Sequence, residues 1–417
     1  MVRRAAELGM GALALTDRDT VGGVVRFATA CAEHGVRPVL GVDMAVAPSE
    51  APGPGLRGKT RRSSVRGGAH VPVAPLRVTL LARDGAGWAG LCRLVSSAHA
   101  DIRTTGGVPV VGWDALRAFG TRGLTVLLGP VSEPVRALAG GRPDVAERLL
   151  GPWREVFGSS LRLEAVYYGL VGTGPGSLRL AARTVQLADR TGITAVLSNA
   201  VRYAVPAQRR VADVLDAARL LRPVDFRRRG RLDPGERWLK GPGVMAALAE
   251  QVAAAAGAGP ERGRDLVAET VRTGEECRVD LVADLGLGRT HLPEPHTVGA
   301  PPGPGGAARL LRERCEAGMV RRGLDRDARA LQRLDEELEV IGALGFDTYF
   351  LTVAQGVGGG RLAGELTGGE TLLAHVLCVR GRGGKDPSCG GGRVGGTGGA
   401  EGGSLVRAGE LKVPAPR

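Results

Sequence analysis

The short apolar run GALALT, residues 11 to 16, ends in Thr16-Asp17-Arg18-Asp19. Carboxylates at the carboxyl end of a strand are where an α/β barrel holds a metal ion or a general base. Asp43 closes the next apolar run in Gly41-Val42-Asp43, and neighbouring strands would bring it beside Asp17. Acids in such small number are weak signals, because Asp19 or Thr20 suits equally well the N-cap of the helical pattern that follows. Elsewhere the chemistry-bearing types are poorly grouped. His291 and His296 lie in a proline-rich stretch without companion ligands. The glycines after Gln355 have no strand before them and no helix after them, which argues against a phosphate cradle.

The elements that must position these acids alternate. Helical spacing runs from Thr20 to Gly35 with Val21, Val24, Val25 and Ala28 on one face, and a strand follows at Arg37 to Val46. The rhythm repeats with a strand from Arg77, a helix through Trp88, Leu91, Leu94 and Val95, and a strand at Leu124 to Leu128. A helix about Val145 to Phe157, a strand at Leu161 to Tyr168, a helix about Ser177 to Arg190 and a strand at Ile193 to Ser198 complete it. Such alternation predicts a largely parallel sheet in a barrel-like α/β domain over residues 1–205. Trp88, Trp113 and Trp153 fall on apolar helix faces and read as core.

After Pro206 only helical patterns remain, and the last of them carries Leu331, Leu334, Leu338, Ile341 and Leu344 on one face. Residues 47–75 form a Pro, Gly and Arg-rich insertion, and a second linker spans 287–306. From residue 356 to 417 about a third of the residues are glycine, and no aromatic follows Phe350. A segment of that composition cannot bury enough apolar surface to offset its ordering entropy, so the sequence predicts a disordered tail.

The chain has 417 residues, a formal charge of +13 and no apolar run long enough to span a bilayer. The opening MVRRAAELGM has no apolar signal-peptide core, so a cytoplasmic location is expected. Six cysteines without C-x-x-C spacing read as free thiols rather than a zinc or disulfide framework. The positive charge suits a nucleic-acid partner, through counterion release. Nearly all of it is arginine, however, since lysine occurs only at Lys59, Lys240, Lys385 and Lys412, and a coding sequence rich in G and C gives the same pattern. Arg209-Arg210 and Arg227-Arg228-Arg229 could touch a DNA backbone or form a solvated face.

Four stretches, in order, resemble one family. AAELGMGALALTDRDTVGGVVRFATACAEHGVRPVLGVDMAV looks like the polymerase-and-histidinol-phosphatase (PHP) domain that opens bacterial C-family DNA polymerases. LLARDGAGWAGLCRLVSSAHA with ITAVLSNAVRYAVPAQRRVADVL, and then LDEELEVIGALGFDTYFLTVA, resemble later landmarks of the DNA polymerase III alpha subunits and their error-prone relatives. Arginine in TDRD is closest to the error-prone branch. The resemblance implies a PHP-type distorted (β/α) barrel over 1–205, a helical connection over 206–286, and a linker with the beginning of a polymerase palm over 287–355. The Gly/Arg-rich tail over 356–417 loses the resemblance abruptly and reads either as a shifted frame or as a natural tail of a truncated chain.

In that family the PHP site binds metals through histidines and acids. Carried over position by position, the opening His-x-His element has no counterpart after Met1, and the histidine of the TD-H motif is Arg18. Asp17 and Asp19 flank it, Asp43 survives as the acid of the next strand, and the histidine that begins the third strand is Arg77. His99 matches a common family histidine, Pro130 replaces a cysteine, and the Asp-x-His of the last barrel strand is Ala200 and Arg202. Arginine is a permanent cation that cannot coordinate a metal. The resemblance with these replacements therefore implies a degenerate scaffold without a metal, Arg18 and Arg202 pairing with Asp17 and Asp43.

The family's polymerase site needs paired palm aspartates and magnesium, with two ions about 4 Å apart. Glu365, Glu370 and Asp386 match no such pattern, so this chain is expected to hold no cofactor and to be catalytically incomplete alone. The family function is DNA-templated DNA synthesis in replication or lesion bypass, with primer-template DNA and replication or repair proteins as partners and no membrane. The competing classes are a free-standing metal-dependent PHP phosphoesterase and a non-catalytic DNA- or partner-binding module.

Overall fold

A computed structural model describes residues 1–49, 75–105, 109–219, 223–224 and 232–359. Most of the expected insertion at 47–75, the arginine triplet at 227–229, and the tail from residue 360 lie outside the described residues. By packing, the chain divides into two units, Met1–Thr290 and His291–Arg417.

The first unit opens with α1 (Val2–Glu7), β1 (Ala12–Arg18), α2 (Val24–Glu33), β2 (Arg37–Val46) and β3 (Leu76–Ala82). Next come α3 (Gly85–Thr105), α4 (Trp113–Phe119), β4 (Leu124–Leu128), α5 (Glu133–Ala139), α6 (Pro143–Leu149) and α7 (Gly151–Phe157). The unit continues through β5 (Leu161–Leu170), β6 (Gly176–Ser177), α8 (Leu178–Thr191), β7 (Thr194–Ser198), α9 (Arg209–Arg219), α10 (Pro242–Ala255) and α11 (Pro260–Glu276). The single helix expected from Val145 to Phe157 is two, because Gly151-Pro152 starts a new first turn where proline is tolerated. Local chemistry sets other ends: the Ser177 side chain accepts from the Leu180 amide to start α8, and Gly192 at φ 67° stops it.

The strands form one curled seven-stranded sheet in the order β1-β2-β3-β4-β5-β6, with β7 also on β5. The fold is thus the expected α/β open barrel, with one departure from a parallel sheet. Strand β3 runs antiparallel to both β2 and β4, while β1–β2, β4–β5 and β5–β7 are parallel. That reversal puts the first residues of β3 beside the last residues of β2, with Arg77 opposite Ala45.

Side chains alternate across the sheet. One face packs Met44, Leu80, Val126 and Leu163 against helices that supply Leu91, Leu94, Leu116, Trp153, Leu180 and Leu187. Ala249 and Val252 of α10 and Leu266 of α11 belong to this same core, so these two helices pack onto the sheet as part of the first unit. The other face is small and mixed. Val39, Leu81, Leu127 and Val196 close on Cys277 there, and the charged residues treated below lie further along the same strands. The tryptophans behave as expected: Trp153 is fully buried, edge-on to Trp113 at 4.8 Å and stacked with Phe157.

The second unit has α12 (Gly306–Arg321), α13 (Ala328–Ala343) and α14 (Asp347–Gly359). Its core is Leu311, Cys315, Met319, Leu334, Leu338, Ile341, Leu351 and Ala354. Asp327 caps α13, accepting from the Arg329 and Ala330 amides. Only the middle of the expected apolar face is covered, since Leu331 and Leu344 at its ends remain exposed.

Candidate functional site

Strand β1 ends at Arg18, whose register partner on β2 is Asp43. The pair therefore shares a face, and Arg18 Nε donates to Asp43 Oδ2 at 3.3 Å. Asp17 is opposite Val42 and points to the other face. Its carboxylate sits against Gly23, where an added Cβ would lie 2.3 Å from Asp17 Oδ2, so a side chain there would have to displace the Asp17 carboxylate from the start of α2. The expected Asp17–Asp43 grouping is thus separated by the alternation of a single strand.

Asp19 follows in the left-handed region at φ 56°, a conformation that aspartate tolerates better than most residues. The turn aims its carboxylate back over β2, where Oδ1 accepts from the Ala45 amide at 3.2 Å. Asp19 therefore caps β2 rather than a helix. The N-cap of α2 is Gly23, without a side-chain hydrogen bond, and Thr20 Oγ1 instead receives the Gly22 amide at 3.1 Å.

Arg77 joins these acids. Its Nη2 donates to Asp19 Oδ1 at 2.8 Å and its Nε to Asp43 Oδ1 at 2.9 Å, while Nη2 also reaches the Asp43 carbonyl. The Arg77 side chain is only 6% exposed, against 48% for Arg18. His99, from α3, completes the cluster by placing Nε2 2.7 Å from the Asp19 carbonyl oxygen, which requires the Nε2–H tautomer.

Glu164 of β5 lies next to this group. Burial pushes its carboxyl pKa up, the nearby Asp43 charge adds to the rise, and the hydrogen bond from Ser198 Oγ at 2.6 Å opposes it. Gly129 gives it room, since a Cβ there would fall 2.4 Å from Glu164 Oε2. Pro130, the next residue, offers no donor of its own. The sequence reading missed Glu164 and Ser198. The available signal was one acid, two residues after Arg162, within the strand run LRLEAVYY.

Arg202 is elsewhere. It forms a two-pronged pair with Asp216 at 2.7 and 2.8 Å, and Asp233 lies 3.7 Å away. The expected pairing of Arg202 with Asp17 or Asp43 does not occur, because the chain turns away at Ala200, which has φ 46°. The Ala200 carbonyl accepts from Arg237 Nε at 2.9 Å, and Arg237 also covers the Tyr168 ring at 5.0 Å. Tyr203 donates to Asp233 at 2.6 Å; burial and then this bond push its pKa up to about 12. Of the nine residues singled out from the sequence, the structure brings Arg18, Asp19, Asp43, Arg77 and His99 together and leaves Asp17, Pro130, Ala200 and Arg202 outside that cluster.

A curled α/β sheet with acids, a histidine and arginines at one end defines the class of the first unit: residues 1–165 match the PHP domain family. The chain carries the PHP region of C-family DNA polymerases. It is 27% identical over 390 residues to the DNA polymerase III subunit alpha of Xylella fastidiosa, covering 91% of this chain and 29% of that protein. It is 31% identical over 384 residues to the error-prone DNA polymerase of Nocardia farcinica, covering 85% of this chain and 31% of that one. For the error-prone DNA polymerase of Mycolicibacterium paratuberculosis the identity is 32% over 363 residues. The chain spans about three tenths of the length of these relatives.

The metal centre suggested by the family does not fit the donors present. Among the described residues, no three His, Cys, Asp or Glu side chains converge to hold an ion. The Asp19 and Asp43 carboxylates are both engaged by Arg77, and His99 Nε2 is engaged by a main-chain oxygen. A divalent ion would have to displace a buried guanidinium that cannot lose its charge.

Proposed function

We propose that this chain serves DNA-templated DNA synthesis as the PHP-containing part of an error-prone C-family polymerase, a scaffold that binds DNA or partner proteins without hydrolysing phosphate esters. The single observation carrying this reading is that similarity to such polymerases runs over 85–91% of the chain, well beyond the PHP domain itself. The occupation of the acid cluster by Arg77 supports a scaffold over a hydrolase. No resident cofactor is needed, magnesium belongs to polymerase chemistry in the intact family, and the site of action is the cytoplasm. Among the described residues no helix is long and apolar enough to cross a membrane.

The test is a labelled primer-template mobility shift run across a salt series, alongside nitrophenyl phosphate hydrolysis with added Mn²⁺. The expected result is a complex that weakens steeply as salt rises, because phosphate contacts release counterions, and no hydrolysis above the buffer blank. Metal-dependent turnover would overturn the scaffold reading in favour of a phosphoesterase. Absence of any complex at about 50 mM salt would remove DNA as the direct partner.

A further inference from the structure

We propose that the Arg77 guanidinium is a built-in cation: it holds together the carboxyl ends of β1 and β2 and so makes this end of the PHP sheet independent of metal. The proposal rests on the cluster geometry and would stand whether or not the chain binds DNA. Asp19 and Asp43 come from consecutive strands, and both carboxylates converge on one buried side chain supplied by the antiparallel β3. Two carboxylates brought this close repel each other unless a positive charge lies between them. A guanidinium is suited to that role because its planar fork presents several donors in fixed directions and its charge persists at every relevant pH. Here the fork is used in full view of both acids: Nε serves Asp43, while Nη2 serves Asp19 and the Asp43 carbonyl. Arg18 adds a second cation on the solvent side of Asp43, so the acid cluster is balanced from within the chain. The remaining neighbours are Glu164, whose carboxyl pKa is raised, and His99, which is committed to the Asp19 carbonyl.

Removing the guanidinium should therefore leave a negatively charged socket that accepts an external cation of the same shape. In the full chain, Arg77→Ala is expected to lower the melting temperature by roughly 10 °C, the scale of an uncompensated buried charge. Guanidinium chloride at low millimolar concentration, far below denaturing levels, should then raise the melting temperature of Arg77→Ala relative to sodium chloride of equal ionic strength, and should not raise that of the wild type. Equal responses of the two proteins would overturn the proposal. Arg77→Lys and Arg77→Met provide a second comparison that survives poor folding of the alanine variant. The lysine variant should melt higher, or be the only one of the two recovered folded, and a methionine variant as stable as lysine would overturn it. The wild type gives a third arm: its melting temperature should not change with EDTA or with added Mn²⁺ or Zn²⁺, and stabilisation by a divalent ion would overturn the proposal.

Discussion

His99 Nε2 lies 2.7 Å from the main-chain carbonyl of Asp19, a residue held at φ 56°. The turn that swings the Asp19 carboxylate over β2 also directs its carbonyl toward α3, so the helix and the turn fix each other. His99→Ala removes that donor from a part-buried bond and should destabilise the chain by about 0.5–1.5 kcal/mol, the net range for a hydrogen bond within a protein. His99→Gln, which can offer an amide donor, should recover part of the loss. Urea denaturation midpoints of the three proteins measure both effects.

The two arginines on Asp43 should differ sharply in value. Arg18 is half exposed, so Arg18→Ala should change stability by less than about 1 kcal/mol. Asp43→Ala strips Arg77 of one of its partners in a buried setting and should cost about 3–5 kcal/mol. Denaturation of the two variants side by side checks the ordering; similar losses would contradict the burial difference.

Glu164 predicts a pH dependence. Its carboxyl holds a proton in the folded chain to higher pH than the ordinary value of 4.5, chiefly because of burial. Its contribution to stability is therefore full below about pH 4.5 and is lost as pH rises through the raised value. Glu164→Gln keeps an acceptor for Ser198 and never ionises. Melting curves should nearly coincide for variant and wild type at low pH, with the variant gaining as pH increases; a gain confined to acid pH would reverse the sign.

The thiols Cys31, Cys277 and Cys315 are buried, and burial pushes each pKa up to about 11. At neutral pH almost none of their thiolate is present. Mass-resolved alkylation should label these three slowly in the folded chain and promptly after denaturation. Fast native labelling at Cys277 would show that the segment after α11 leaves the sheet.

Gly87→Ala tests a close backbone approach. A Cβ at Gly87 would stand 1.8 Å from the Gly123 carbonyl oxygen, so α3 or the turn before β4 must move. A loss of about 1–3 kcal/mol in denaturation experiments is expected, whereas Gly112→Ala, with nothing within 4 Å, should lose far less.

Much of the first unit was readable from periodicity. The expected apolar runs at 11 to 16, 37 to 46, 124 to 128 and 193 to 198 all fall on strands, and amphipathic spacing located α8 and, in the second unit, α13. Strand direction was not readable, because a run such as LRVTLLA looks the same in either sense; β3 takes its direction from the ladders on both sides. The cluster residues were found by type and family position, but their grouping depends on register. Alternation alone sends Asp17 away and brings Arg18 to Asp43. The partners of Arg77 lie 34 and 58 residues away in sequence, beyond any local pattern. The second network, from Arg202 to Arg237, had a faint signal in the turn residues Asp233-Pro234-Gly235-Glu236, where Asp233 Oδ1 accepts from the Gly235 amide at 2.9 Å.

Among the described residues strand β1 pairs only with β2, so it forms one rim of the open barrel. A rim strand is the first part of a sheet to fray, and its backbone amides are exposed whenever it lifts. The pin at its far end is not in β1 itself but in β3, two strands inward, through the reach of Arg77 to Asp19. Lifting β1 thus requires either pulling a carboxylate off a buried guanidinium or bending the left-handed turn at Asp19. One side chain thereby couples the opening rate of the rim to the interior of the sheet, and deuterium uptake along ALALTDR is where that coupling becomes visible.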